Sequence, residues 1–452
     1  MSGLYTSIVS KVLFPIHERL KKHNSVALLK ELEKTQWKSG DEIEKIRVRN
    51  LSRFLKDIYT NVPYYKKVVD DSGLDIENIS NVSDLQKLPF LTKQIIKNNT
   101  EALRANYAGE LKRYNTGGST GEPLVFYMGK DRVSHDVASK WRATRWWDVD
   151  IGDKELVIWG SPVELGAQDR VRMLRDKIVR SELISAFDIS HSNVKKLIDH
   201  LVRFRPKMVF GYPSSISLIA ISAEKQGIKL DKLGIKVVFV TSEKLYDHQR
   251  ETIERVFACP VANGYGGRDA GFIAHQCPQG NMHITAEDII VEIVDEQGRI
   301  LPAGKAGEIV VTNMATREFP FVRYKIGDIG ILSDESCACG RGLPILADVQ
   351  GRSTDFIVTP DGRVMHGLAL IYVLRDIPAV LNFKIVQEAK DRIEIKMQVS
   401  PEYNEDTRKK ILTELTQRLG ADVNIRLEIV DKVEKEKSGK FRYVVSKIDP
   451  FS

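Results

Sequence analysis

Cysteine is scarce in this sequence, and long apolar runs are absent. Four cysteines occur among 452 residues, too few for the disulfide framework of a secreted scaffold. No apolar run approaches the about 18–20 residues that a membrane-spanning helix needs. Residues 1–20 also lack the long apolar core and the small-residue cleavage site of a secretory signal. These absences predict a cytoplasmic protein without a transmembrane segment.

The composition is unbiased, and the charge is mild. Glycine (31 residues) and proline (16) occur at ordinary levels, which excludes collagen-like and low-complexity chains. The 68 basic and 61 acidic residues leave a net charge of +7, weaker than a dedicated nucleic-acid-binding protein carries, so we expect no nucleic-acid partner. The charge suits anionic small molecules such as nucleotides and coenzyme A (CoA). An ordinary solvated surface explains it equally well.

The N-terminal residues, 1–110, have a helical pattern. Apolar residues recur at helical spacing after the start signal Ser39-Gly40-Asp41. A proline-containing break at 61–65 follows, and a further helix is expected near Thr92. The segment from Tyr5 to Leu20 is weakly amphipathic. Contact with a membrane surface and packing on its own domain are both open for this segment, and packing is favoured.

The remaining sequence shows two patterns, an α/β pattern followed by an α+β pattern. Short apolar runs at 156–159, 208–210 and 237–240 alternate with helical stretches, which predicts buried strands of a layered α/β sheet. Hairpins are expected from Asp288 onwards. The last hundred residues have the pattern of a small α+β unit. We therefore predict two domains, 1–351 and 352–452.

A glycine-rich loop is the sharpest local signal. Three glycines and three hydroxyl residues fall within six positions, followed by a predicted strand at 124–128. The loop consists of Thr116, Gly117, Gly118, Ser119, Thr120 and Gly121. Glycine lets backbone N–H groups turn towards a polyphosphate, and hydroxyl groups add short donors. The loop lacks the Gly-Lys-Ser/Thr of a Walker A loop, and no helix follows it as in a Rossmann turn. A flexible surface loop is the alternative.

Four further motifs follow this loop in order. They are Tyr265-Gly266-Gly267-Arg268-Asp269, Phe321-Val322-Arg323-Tyr324-Lys325-Ile326-Gly327-Asp328, Gly351-Arg352-Ser353-Thr354-Asp355 and Ser438-Gly439-Lys440. Together the five motifs resemble those of the adenylate-forming enzymes, the superfamily of acyl-CoA synthetases, luciferases and peptide-synthetase adenylation domains. The element Val62-Pro63-Tyr64-Tyr65 and the Cys-x-Cys-Gly segment narrow the resemblance to the phenylacetate–CoA ligase branch, which includes CapK-like relatives.

The resemblance implies a fold and an activity. The fold is a large layered α/β domain followed by a small, mobile α+β domain. The activity is the ATP- and Mg²⁺-dependent conversion of a small carboxylic acid, aryl or arylacetic, to an acyl-adenylate, and then transfer to CoA. An enzyme of polysaccharide or secondary-metabolite biosynthesis that passes the acyl group to an amine or hydroxyl is the alternative. A non-catalytic nucleotide-binding scaffold is a third reading, and a homodimer is left open.

The resemblance also assigns roles around ATP. The glycine loop is expected to hold the β- and γ-phosphates. The ring of Tyr265, flanked by Gly266 and Gly267, suits stacking on adenine, although a core aromatic is the alternative. Ser242 and Glu243 occupy the family's adenine-side position. The carboxylate of Asp328, expected at the end of a strand, offers two oxygens to the two ribose hydroxyls.

Three further roles are expected, one for a Mg²⁺ ligand and two for catalytic residues. Asp269 stands where relatives carry a Mg²⁺-associated glutamate, and its reach is one methylene shorter. Arg352 is expected to contact the nucleotide, and Lys440 is expected to contact the α-phosphate and the carboxylate during adenylation. The sequence departs from the family at Thr354, where many relatives have aspartate. That departure leaves the hinge residue itself open.

Two short clusters supply metal-binding side chains. Cys277 and His283 follow one motif, and Cys337 and Cys339 follow another. Three thiols and an imidazole suit a closed tetrahedral Zn²⁺; free thiols packed in loops are the alternative. Cys259 needs no special role.

Little in the sequence defines the acid. Three tryptophans at 141–147 are candidates for an aryl pocket, but packing in the core is favoured. The segment 211–215 is a second candidate for the lining of the same cleft.

Overall fold

The computed structural model describes residues 3–115, 124–159, 170–186, 191–243, 245–295, 297–349, 356–433 and 443–448. The glycine loop Thr116–Gly121, the residues Arg352 and Lys440, and the predicted domain boundary lie outside the described residues. Within them, no helix combines the length and the apolar character that crossing a bilayer requires.

Helices form the first hundred residues. A continuous helical segment consists of α1, a π-helical turn (Val9–Leu13) and α2. The α-helices are α1 (Leu4–Ile8), α2 (Phe14–Leu20), α3 (Ser25–Thr35), α4 (Gly40–Asn61), α5 (Pro63–Ser72) and α6 (Lys93–Asn98). Short 3₁₀ turns cover Ile76–Asn78 and Val82–Lys87. Helix α4 begins where the start signal predicts, because Ser39 and Glu42 form a capping box.

A large sheet follows, and five of its strands are parallel. In the described part of the chain the strand order is β10-β11-β12-β13-β9-β8-β7-β6-β5-β3-β4. The parallel strands are β3 (Glu155–Ile158), β4 (Ser181–Ile184), β5 (Met208–Gly211), β6 (Val237–Thr241) and β7 (Val261–Gly267). The antiparallel strands are β8 (Gly271–Gln276), β9 (Met282–Ile284), β10 (Ile289–Val294), β11 (Gly307–Asn313), β12 (Phe321–Ser333) and β13 (Ile345–Val349). A separate hairpin pairs β1 (Lys112–Asn115) with β2 (Val125–Met128).

Helices cover both faces of the parallel strands. They are α7 (Lys130–Arg145), α8 (Arg170–Val179), α9 (His191–Phe204), α10 (Pro213–Lys225) and α11 (Asp247–Phe257). In β6, Val238 and Val240 pack in the cluster that contains Ile198 of α9. Val237 and Phe239 pack in the opposite cluster. Successive side chains of a strand point to opposite faces, so a strand that is buried on both sides is apolar at every position.

The C-terminal residues have a core of their own. A four-stranded sheet orders β16 (Val380–Ala389), β17 (Arg392–Val399), β18 (Asn424–Ile429) and β19 (Val444–Ser446) as β18-β17-β16-β19. The remaining elements are a hairpin of β14 (Phe356–Val358) and β15 (Val364–His366) and the helices α12 (Leu368–Arg375) and α13 (Glu405–Leu419). Their buried cluster runs from Ile357 to Val444. The boundary at 351–352 stays a prediction.

Candidate active site

The candidate site lies at one edge of the large sheet. The carboxyl ends of β3, β5, β6 and β7 are in register there, with Ile158 beside Gly211 and Thr241 beside Gly264. Ligands of open parallel sheets bind at this edge, outside the carboxyl ends of the strands. The predicted residues Ser242 and Glu243 follow β6 directly, so they lie at this edge.

Tyr265 and Asp328 are brought together from different strands. The Tyr265 hydroxyl donates a hydrogen bond of 3.0 Å to Oδ2 of Asp328. Both side chains are half-buried. The ring predicted to stack on adenine and the carboxylate predicted to bind ribose therefore lie side by side, which is the arrangement that one nucleoside requires.

Asp328 lies within β12 and not at its end, which corrects the expectation from the sequence. The pairing of β11 with β12 shifts register between Glu308–Ile329 and Val310–Lys325. Gly327 within this bulge has φ +90°, a conformation that favours glycine. A bulge bends the strand and re-aims the side chains beside it. That irregularity directs Asp328 towards Tyr265, and apolar periodicity does not reveal it.

Asp269 is a buried acid with two partners. Its Oδ2 accepts a hydrogen bond of 2.8 Å from the Tyr324 hydroxyl, and its Oδ1 accepts one of 3.2 Å from the N–H of Ala270. Asp269 is 8% exposed. A carboxylate oxygen has two lone pairs, so these bonds leave acceptor capacity for a cation. The sequence assigned no role to Tyr324.

Arg132 of α7 binds the backbone of this motif, a contact that the sequence did not reveal. Its guanidinium donates to the carbonyl oxygens of Arg268 (3.0 Å) and Asp269 (3.1 Å) and pairs with Asp136 at 3.0 Å. Because Arg132 precedes these carbonyls by more than 130 residues, local spacing carries no signal of the contact.

The glycines beside Tyr265 have a structural cause of their own. A Cβ on Gly266 would lie 2.1 Å from the carbonyl oxygen of Gly271 on β8. The close pairing of β7 and β8 therefore requires glycine at this position.

The hairpin that carries the glycine loop begins beside this motif. Asn115, at the end of β1, pairs with Val125 of β2. Arg268 donates a hydrogen bond of 3.4 Å to the carbonyl oxygen of Asn115. The described residues on each side of the loop thus lie next to the Tyr265–Asp269 segment.

An aromatic pair stands at the carboxyl ends of β3 and β5. The rings of Trp159 and Tyr212 are stacked, with centroids 4.4 Å apart and an interplanar angle of 20°. Trp159 also lies 5.9 Å from the ring of Phe210. Tyr212 belongs to the segment predicted to line the cleft, whereas the sequence predicts Trp159 only as the end of a strand. Its position directly after an apolar strand was the available signal.

The three tryptophans at 141–147 belong to the interior. Trp141 is buried among residues of α3 and α7. Trp146 donates to Gln36 at 2.7 Å, and Trp147 donates to the carbonyl oxygen of Gln276 at 3.0 Å. These contacts support packing against the core, the interpretation that the sequence favours, and the aryl pocket at this stretch stays a prediction without support.

The four predicted metal ligands meet at one point. The ligand atoms of Cys277, His283, Cys337 and Cys339 all lie within 4.8 Å of one another. The Sγ atoms of Cys277 and Cys337 are 3.7 Å apart, and Sγ of Cys339 lies 3.2 Å from Nε2 of His283. None of the four cysteines forms a disulfide.

This geometry fits a tetrahedral metal. Two sulfur ligands at about 2.3 Å from a tetrahedral Zn²⁺ lie about 3.8 Å apart, and a sulfur and a nitrogen ligand lie about 3.5 Å apart. Nδ1 of His283 is 3.1 Å from the carbonyl oxygen of Leu343, so Nδ1 carries the proton and Nε2 presents its lone pair to the thiols. Burial lowers the pKa of His283, which favours the neutral imidazole that a metal binds.

Comparisons with known proteins agree with this architecture. Residues 357–447 match the family described as the CapK C-terminal domain. The chain is 26% identical over 412 residues to Protein CapK from Staphylococcus aureus, covering 90% of each chain. It is 23% identical over 388 residues to a phenylacetate-coenzyme A ligase from Thermus thermophilus, covering 83% of this chain and 85% of the relative. The solved structure of 2-hydroxyisobutyryl-CoA ligase with 2-HIB-AMP and CoA matches with a TM-score of 0.65 at 18% identity, covering 91% of each chain.

The fold is that of the adenylate-forming CoA ligases. Within that class, residues 357–447 are a CapK C-terminal domain, and the chain as a whole is similar to CapK and to phenylacetate-CoA ligases. The fold class predicted from the sequence is confirmed, and the chain is similar to the CapK and phenylacetate–CoA ligase relatives that the five ordered motifs resemble.

Proposed function

We propose that this protein is an AMP-forming acid–CoA ligase. It activates a small carboxylic acid with ATP to an acyl-adenylate and then transfers the acyl group to CoA. The observation that carries the proposal is the hydrogen bond between Tyr265 and Asp328 at the carboxyl edge of the sheet. It supports a nucleoside site in a chain that is similar over most of its length to ligases of this kind.

The chemistry requires positive charge, because a carboxylate must attack a polyanionic phosphate. Preorganised donors and cations lower that electrostatic barrier. We assign the backbone N–H groups of Thr116–Gly121 to the phosphates of ATP, Lys440 to the α-phosphate and the attacking carboxylate, and Arg352 to the nucleotide. We assign Asp269 to Mg²⁺, since its carboxylate keeps lone pairs beyond its two hydrogen bonds.

We propose an aryl or arylacetic acid as the substrate. At the edge where the acid must lie, the half-buried ring of Trp159, stacked on the buried ring of Tyr212, is the candidate aromatic surface. Offset stacking of a further aromatic ring on such a surface is favourable by about 0.5–1.5 kcal/mol beyond its buried area. ATP and CoA are cytoplasmic metabolites, so we place the reaction in the cytoplasm.

A pyrophosphate-exchange panel across carboxylic acids, with and without CoA, tests this function. We expect exchange that depends on an aryl acid and, when CoA is added, a thioester. Exchange without thioester formation favours the alternative, transfer to an amine or hydroxyl acceptor. No exchange with any acid, in a protein that binds ATP, rejects the enzyme.

A lysine pair tests the assignment of Lys440. We expect Lys440→Ala to abolish acyl-adenylate formation but to retain thioester formation from supplied acyl-adenylate. Lys432→Ala, an exposed lysine of the same basic stretch, is the matched control and keeps both activities. Adenylation by Lys440→Ala at the wild-type rate contradicts the assignment.

We propose a structural Zn²⁺ at Cys277, His283, Cys337 and Cys339. Bound there, the metal joins the turn after β8 to the loop before β13. We expect one zinc per chain by elemental analysis and loss of zinc in Cys339→Ser. The control is Cys259→Ser, because Cys259 is buried elsewhere and burial raises the pKa of its thiol to about 12. Protein without zinc and with four titratable thiols in denaturant rejects the site.

A further inference from the structure

The N-terminal helical segment, Leu4 to Leu20, is firmly attached to the domain by one face. Val9 and Phe14 are buried in a cluster with Leu32 and Trp141. The Thr6 hydroxyl donates to Asp153 at 2.8 Å. Gly152, at φ +94°, approaches so closely that a Cβ there would lie 2.6 Å from Cβ of Val9. This face accounts for the favoured prediction of packing on its own domain.

The opposite face of the same segment is apolar and exposed. A stripe at four-residue steps consists of Leu4, Ile8, Val12, Ile16 and Leu20, which are between 44% and 80% exposed. Four-residue steps drift around an α-helix of 3.6 residues per turn. The wider π-helical turn at Val9–Leu13 counteracts that drift. The five side chains thus form one continuous apolar surface, and they are not part of the buried core of the domain.

Positive charge accompanies the stripe. Lys11, Arg19, Lys21 and Lys22 are exposed along the segment and at its end. The segment's one acidic residue, Glu18, is buried: its carboxylate contacts Nδ1 of His17 at 2.9 Å and accepts a short hydrogen bond from the hydroxyl of Ser25. The surface around the stripe therefore has cations and no exposed carboxylate of the segment itself.

We propose that this segment docks the protein on an anionic lipid surface. An exposed aliphatic stripe flanked by lysine and arginine is the pattern of a helix that lies in the membrane interface, with its apolar face among the acyl chains and its cations at the headgroups. A second copy of the chain fits less well, because a two-fold contact places identical surfaces together and brings these cations against one another. This property is independent of the ligase reaction.

Vesicle flotation tests the proposal. We expect the full chain to float with phosphatidylcholine–phosphatidylglycerol vesicles and to stay unbound with phosphatidylcholine alone. The triple variant Ile8→Ser/Val12→Ser/Ile16→Ser should lower the bound fraction by about tenfold or more, because three interfacial side chains lose their transfer energy. Lys21→Glu/Lys22→Glu should also weaken binding to the anionic vesicles.

The matched control is Leu381→Ser/Ile429→Ser. These two side chains are 59% and 60% exposed in the C-terminal unit, so a general loss of surface hydrophobicity would reduce flotation of this double variant as well. We expect this control to float like the wild type. The proposal is overturned if the wild type fails to float at low salt, or if the triple variant floats as well as the control. A dimer in light scattering that the triple variant converts to a monomer, with flotation unchanged, assigns the stripe to self-association and likewise overturns it.

Discussion

At the scale of single residues, the site depends on contacts between side chains from distant parts of the chain. Tyr265 and Asp328 touch although 63 residues separate them, and Tyr324 reaches Asp269 across 55. The motifs predicted that these residues act together. The sequence did not predict the hydrogen bonds between them. Periodicity relates only residues of one helix or strand, and these residues belong to elements that are far apart in the sequence.

The first prediction concerns the bond between Tyr265 and Asp328. Tyr265→Phe keeps the ring and removes the donor, so we expect KM for ATP to rise about tenfold or more with a smaller change in kcat, because a hydrogen bond to a charged group contributes about 1.5–3 kcal/mol. Initial-rate kinetics at saturating acid measures it. Tyr107→Phe is the control, because Tyr107 makes an equivalent 3.0 Å bond to Asp57 at an exposed position. Equal effects in both variants contradict a role in the site.

The second prediction concerns two buried histidines, His135 of α7 and His275 of β8. Burial lowers the pKa of each to about 3, with neighbouring arginines as a further cause. Between pH 6.5 and 3 the unfolded chain binds protons that the folded chain does not, so the free energy of unfolding falls on acidification. Each histidine contributes up to about 1.4 kcal/mol per pH unit in this window.

Denaturant unfolding at several pH values measures this effect. His275→Gln should flatten the dependence of unfolding free energy on pH between 6.5 and 4, and the double variant with His135→Gln should flatten it further. An unchanged slope in both variants would show that other groups govern the acid sensitivity.

At the scale of elements, a buried ion pair joins β12 to β10 across the strand between them, β11. Nε and Nη2 of Arg323 each lie 3.0 Å from an oxygen of Glu292 on β10. Nη1 of Arg323 donates to the carbonyl oxygens of Gln86 and Leu88, and its guanidinium lies 4.2 Å from the centre of the Phe90 ring. Arg323 therefore positions the strand that carries Asp328, although it belongs to a motif that the resemblance connects with ATP.

The third prediction follows from this pair. Arg323→Met leaves the Glu292 carboxylate buried without its partner, so we expect a loss of about 3–5 kcal/mol in unfolding free energy. Adding Glu292→Gln removes the unpaired charge and should recover part of that loss. Arg299→Met, at an exposed pair with Asp295, should cost about 1 kcal/mol or less. Similar losses in the two single variants would contradict the structural role of Arg323.

At the scale of the whole molecule, the chain has separate hydrophobic cores. One large core lies between β3, β5, β6 and their helices, and another lies entirely within the C-terminal residues. Cores that do not share side chains can unfold in separate steps. Separate unfolding steps are what the predicted, untested division into two domains requires.

The fourth prediction uses one isoleucine from each core. Ile395 and Ile216 are both fully buried, and truncation to alanine costs about 2–5 kcal/mol at such positions. In calorimetry we expect Ile395→Ala to lower the melting temperature of one transition and Ile216→Ala to lower that of another. A single transition that shifts equally in both variants contradicts independent domains.

The sequence by itself determined the class of fold, the order of the elements and the types of residue in the site. Apolar runs and caps are local, so helix α4 begins at its predicted Ser39 signal, and strands β5 and β6 lie within a residue of their predicted bounds. Only the tertiary structure decided which groups meet, such as Arg132 with the backbone of the β7–β8 turn and Trp159 with Tyr212. It also decided where β12 bulges, at Gly327, and which apolar side chains of the N-terminal segment stay exposed. These features depend on close packing between residues far apart in the chain, and no local pattern encodes which surfaces that packing covers.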